Sequence, residues 1–378
     1  MKAATLLRSA RTIRLGRPSL ASLGFLAVAI IALGWITWRG SIDPWPARTT
    51  LGTSPNAWPL DFSPDGKTFL TADLAPGKAM VTSWDVATGV GRELWAMKVG
   101  GHVPTVPFSP DGRSFATTVV THPSPARVEI LDATTGAPQV SFATDYQFVY
   151  RLAWSPDGSS LVGYLGDNAR LKEIATWDVA TGEKTSSRTV SPPMRANSMG
   201  ISPDGRLLAL CPRNGAGLDL WDLEAGRSLG TLTNPATIEP ASPGWVGFSA
   251  DGKTLAFGRD GGSVELWDIP GRKLRKSIRA HAPGHSSALI RFSPDGRTFV
   301  SAAWERPDRS LIGRLWRDLG GRNREVQSEA VVVDVATGRV LARSPTSMQP
   351  IYSPDGRTLA TREREGGIKL RDVPPSPR

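Results

Sequence analysis

Cysteine occurs once in the 378 residues, at Cys211, which excludes an intrachain disulfide framework and any paired-cysteine metal or redox motif. Histidine is nearly as scarce, with four copies. His281 and His285 lie four apart, but Pro283-Gly284 between them excludes the helix that would align both imidazoles on one metal. There is no HExxH, no GxSxG elbow, no Walker sequence and no GxGxxG. Gly215-Ala-Gly217 precedes a strand and is too short to cradle a phosphate. No residue is singled out as catalytic, cofactor-binding or metal-ligating, and the chain reads as a non-enzyme.

Acidic residues are missing from one stretch. Residues 1–39 carry Lys2, Arg8, Arg11, Arg14, Arg17 and Arg39 with no Asp or Glu, whereas the remainder holds 39 basic against 35 acidic residues. The net charge of +10 is therefore mostly local to the N-terminus, and no basic run marks a nucleic-acid surface. Charge is then absent altogether from Pro18 to Trp38, PSLASLGFLAVAIIALGWITW. As a helix these 21 residues extend roughly 30 Å, the hydrocarbon thickness of a bilayer. Trp35 and Trp38 stand at one end, and basic residues dominate the other. The positive-inside rule predicts a basic cytoplasmic tail over 1–17, a single transmembrane helix over 18–38, a linker over 39–46 and everything later outside the inner membrane. A cleaved signal peptide is the rival reading; its apolar region would be unusually long, with Pro46-Ala47 the nearest weak cleavage site.

Glycine (39) and proline (31) are abundant, and their distribution is periodic. Phe62-Ser-Pro-Asp-Gly66 returns at Phe108–Gly112, Trp154–Gly158, Ile201–Gly205, Phe248–Gly252 (with Ala250 for Pro), Phe292–Gly296 and Tyr352–Gly356. The aspartates are spaced by 46, 46, 47, 47, 44 and 60 residues. Each copy is followed by a second signature: Trp84-Asp-Val-Ala-Thr-Gly89, Leu131–Gly136, Trp177–Gly182, Trp221–Gly226, Trp267–Gly271, Val333–Gly338 and the degenerate Arg371–Pro374. Ser-Pro-Asp-Gly is hairpin-turn chemistry, with Pro presetting φ and Gly accepting a positive one. A period near 46 residues accommodates four short strands and their turns. One such sheet cannot bury both faces alone, so neighbouring copies must stack on it.

These paired signatures resemble the WD-repeat (WD40) family in its bacterial F-S-P-D-G…W-D-V-A-T-G style, over residues 47–378. The resemblance implies an all-β, seven-bladed β-propeller of four-stranded antiparallel blades around a central channel. In that family a His before the first strand and an Asp before the third join a Ser and the Trp in a hydrogen-bonded network. Here Asp260 fits the Asp position, Asn214 and Glu365 stand where Asp is expected, and His102, His281 or His285 fit the His position loosely. The last unit lacks an outer strand, and residues 47–53 are expected to supply it by pairing with Ile368–Arg371.

The repeated tryptophans and aspartates read as packing and turn residues rather than as a ligand cage or a metal site. One segment breaks the repeat: Asp295 and Asp334 are 39 residues apart, placing an insertion within about 305–327 of blade six. Leu311, Ile312, Leu315, Trp316 and Leu319 follow helical spacing among Arg309, Arg314 and Arg317, with Asp308 placed to cap the start. A helix this short needs a surface. Either it folds back on the propeller rim, or Leu315, Trp316, Arg314 and Arg317 contact a partner or the membrane. The expected function is a membrane-anchored scaffold that binds protein or peptide partners without cofactor, nucleic acid or small-molecule ligand. The alternative is an extracytoplasmic ligand sensor, or an enzyme, with its site at the channel mouth.

Overall fold

The computed structural model describes residues 45–75, 78–98, 106–119, 124–167, 170–195, 199–211, 217–235, 245–259, 261–305, 328–345, 347–363 and 366–376. The expected membrane segment at 18–38 lies outside them, and among the described residues no helix is long and apolar enough to cross a membrane. The compact unit that carries the fold runs from Trp45 onward.

Seven antiparallel sheets follow one another along the chain and make a seven-bladed β-propeller. Blade one contains Ala57–Phe62, Thr68–Ala75, Lys78–Asp85 and Gly91–Lys98, each strand pairing with the next. Blades three to six repeat this meander, with Phe148–Trp154, Met199–Ile201, Val246–Phe248 and His285–Phe292 as their first, inner strands. Among the described residues blade two has three strands, Ser114–Val119, Arg127–Asp132 and Pro138–Ala143. Among the described residues its inner position shows one bridge between Phe108 and Phe115, beside a hydrogen bond from Ala116 N–H to the Pro107 carbonyl. Pro107 has no N–H to extend that ladder.

The first signature is a locked turn. In blade one Ser63 Oγ donates to Asp65 Oδ1 at 2.7 Å and accepts from Thr68 N–H at 3.0 Å, while Asp65 also accepts from Lys67 N–H. Gly66 closes the turn at φ 70°, which a side chain would strain. The same Ser–Asp bond recurs from Ser109, Ser155, Ser202, Ser249, Ser293 and Ser353. The second signature works similarly: Asp85 Oδ1 accepts from the amide and hydroxyl of Thr88, both at 2.7 Å.

Blades are held by apolar clusters that each straddle a junction. Leu60, Leu70 and Val81 of blade one meet Val106, Phe115 and Leu131 of blade two. Corresponding clusters join two to three, three to four, four to five, five to six and six to seven. A seventh cluster joins Ile351, Ala360, Ile368 and Leu370 of blade seven to Phe62, Phe69 and Trp84 of blade one. The ring is closed.

Closure uses the expected strand. Thr49–Leu51 pairs with Ile368–Asp372 in the register Thr49↔Leu370, Thr50↔Lys369, Leu51↔Ile368, so blade seven borrows its outer strand from the opposite end of the fold. Leu51 is 1% exposed within the cluster shared with blade one. Trp45, which composition alone leaves in the linker, is also docked. Its indole donates to the Asp372 carbonyl at 2.8 Å and packs with Val300, Val332 and Leu359 between blades six and seven.

Candidate functional site

The repeated residues that invite a chemical reading are engaged in their turns, their blades and the junctions between blades. Trp177 and Trp267 are 1% and 3% exposed, Trp84 donates to Thr71 Oγ1 at 2.8 Å, and Trp267 donates to Glu265 at 3.2 Å. Buried indoles in separate blades make no aromatic cage. Each turn aspartate accepts from its own Ser and from an amide two residues on; for Asp157, bonds from Ser155 and Ser159 bring the pKa to about 2. Among the described residues no three His, Cys, Asp or Glu side chains converge as a metal site requires.

Blade six holds a hydrogen-bonded group with part of the composition of the WD-repeat network, His281, Ser301 and Glu329, and Val333 in place of the Trp. His281 Nδ1 lies 2.9 Å from Glu329 Oε1, and Nε2 lies 2.9 Å from Ser301 Oγ. Arg343 Nη1 donates to both Glu329 oxygens at 3.3 Å. Burial depresses the His281 pKa, so the ring is neutral near pH 7. The carboxylate can only accept, so the proton sits on Nδ1 and Ser301 donates to Nε2. Glu329, one residue into the third strand, takes the place where aspartate is expected. Acid, imidazole and hydroxyl are in the order of a nucleophilic triad, but Ser301 is 0% exposed. The bonds run from His281, ahead of the first strand, to Ser301 and Glu329 on the second and third, and so brace the blade.

Charges of another kind meet in the middle of the ring. Asp61 and Arg291 occupy the same position in blades one and six: each immediately precedes the aromatic residue of the first turn, on the inner strand, opposite Leu70 and Val300 of the second. The other blades have Pro107, Ala153, Gly200, Gly247 and Ile351 there, none charged. Arg151, two residues further up the inner strand of blade three, opposes Tyr164. The Trp245 carbonyl accepts from Gly258 N–H, at the level in blade five that Tyr164 holds in blade three. Trp245 is 38% exposed, one of two large hydrophobic side chains so exposed among the described residues.

Asp61 accepts hydrogen bonds from the Phe62 amide, at 2.9 Å, and from the Phe108 amide of blade two. Burial raises its carboxyl to a pKa of about 6 against the opposing pull of Arg291 and those amides. Burial also lowers the Arg291 pKa, Asp61 offsets part of this, and the like charge of Arg151 adds to it. Yet the Arg291 and Arg151 side chains both reach solvent. Both stand on inner strands, the strands that face the central channel of a propeller. Among the described residues neither guanidinium makes a hydrogen bond or ion pair. No local motif announces this group, because its members come from blades one, three and six.

Asp61 has a pH signature. Its pKa is higher folded than unfolded, so the ionised form disfavours folding above pH 6 and the penalty disappears below about pH 4. Asp61→Asn should therefore gain stability relative to wild type by on the order of 2 kcal/mol between pH 4 and pH 7.5. Denaturant titrations at both pH values check this; a difference independent of pH contradicts it.

Leu315, Trp316, Arg314 and Arg317, the partner-contact candidates, lie outside the described residues. Comparison with known proteins finds no matching family model and no significant match among curated proteins.

Proposed function

We propose that this β-propeller is a non-catalytic recognition scaffold of the WD-repeat kind, anchored to the inner membrane by residues 18–38 with its ring on the outer side, that binds protein or peptide partners. The observation that supports this reading is that the repeated Ser and Asp side chains are engaged by their own turns and the repeated Trp side chains by the packing of blades and their junctions. The repeat chemistry thus builds a rigid frame and leaves recognition to loops carried on it. The insertion at about 305–327 is the largest departure from that frame in the sequence, and Leu315, Trp316, Arg314 and Arg317 are its contact residues in this proposal.

Crosslinking capture with the full chain beside the double variant Leu315→Ala, Trp316→Ala tests it. The expected result is a defined polypeptide partner retained by wild type and lost by the variant at an unchanged melting temperature. A variant that melts early with its captured partner unaltered would place the insertion on the propeller's own rim and contradict the contact role.

A further inference from the structure

The repeat itself does not call for charge on the inner strands. Five of seven blades place an uncharged residue at the position of Asp61 and Arg291, so the repeat does not require charge there. Two exposed guanidiniums that make no hydrogen bond or ion pair among the described residues, Arg291 near Asp61 and Arg151 near Arg291, give with that carboxylate an excess of one positive charge.

We propose that the channel binds a carboxylate monoanion between Arg291 and Arg151, with Asp61 setting the local charge and Trp245 flanking the apolar body of the ligand. Arginine offers a planar fork of donors suited to a carboxylate. The Asp61 carboxylate beside Arg291 selects against a second negative charge, which favours a carboxylate over a phosphate dianion. Trp245 stands at the register level of Arg151 in blade five, and its exposed ring supplies apolar contact at low entropic cost. A free organic acid and the carboxyl terminus of a polypeptide present the same chemistry. This inference is independent of the loop-mediated scaffold reading and survives if that reading fails.

The test is calorimetric titration of the full chain at fixed ionic strength with four probes. These are 3-phenylpropionate, its neutral amide, the dipeptide acid N-acetyl-glycyl-phenylalanine and the amidated dipeptide. Both acids should bind and both amides should not. Arg291→Gln and Arg151→Gln should each weaken the acids about tenfold or more, while exposed Arg113→Gln leaves them unchanged. Similar affinities for the two acids identify a free carboxylate as sufficient, and a much tighter dipeptide acid identifies a chain terminus. The proposal is overturned if wild type fails to prefer acid over amide. It is equally overturned if Arg151→Gln and Arg291→Gln, melting as wild type does, both bind the acids as tightly as wild type.

Discussion

Removing residues 45–53 should lower the melting temperature of the propeller by roughly 7 °C or more and broaden its transition. That segment buries Leu51 between blades seven and one and Trp45 between six and seven, and it supplies a strand to blade seven. Burial of two large side chains, with the strand and indole hydrogen bonds, amounts to about 5 kcal/mol. Its loss also bares the faces of Phe69 and Trp84 that Leu51 helps to cover. In a ring every blade depends on two neighbours, so opening one junction should weaken cooperativity and not merely fray an end. Differential scanning calorimetry of the deletion against wild type checks this. An unchanged melt means the two ends are not stapled.

The second large effect is expected from Glu329→Ala. The substitution leaves the Nδ1–H of buried His281 without its acceptor and Arg343 without its carboxylate, at a cost of about 3 kcal/mol. A pH dependence should accompany it. His281 has a folded pKa below its ordinary value of 6.5, so the neutral ring's contribution is complete above pH 6.5 and declines as acid protonates the unfolded chain first. Glu329 is also depressed, through its bonds to His281 and its proximity to Arg343, which outweigh burial. Its contribution is complete above its ordinary value of 4.5 and is lost as pH falls further. Wild type should therefore lose stability in two stages on acidification. Glu329→Ala should start lower and lack the second. Urea titrations across this range resolve both stages, and a variant as stable as wild type at pH 7 contradicts the bracing role.

Much of the architecture was legible because turns are local. Ser63, Asp65 and Gly66 satisfy one another within a few residues, so the same words recur wherever the same turn recurs. The closing strand was legible for a related reason: residues 47–53 have the composition of an outer strand, and the last unit is one strand short. What escaped the sequence is what depends on distance. Glu329 substitutes for aspartate one residue into a strand, and only the imidazole beside it reveals the role. Trp45 is one indole in a linker until the Asp372 carbonyl accepts its N–H from across the fold. Asp61, Arg151 and Arg291 come from three blades and share no spacing. Only the curvature of the ring assembles them, since inner strands converge where outer strands diverge.

Hydrogen exchange at the seam tests ring closure most directly. If the ends are joined, the amides of Thr49–Leu51 and Ile368–Asp372 should exchange together and as slowly as those of the central strands of blade one. Rapid exchange of Thr49–Leu51 beside slow exchange elsewhere would mean that the sheets stack into an open arc.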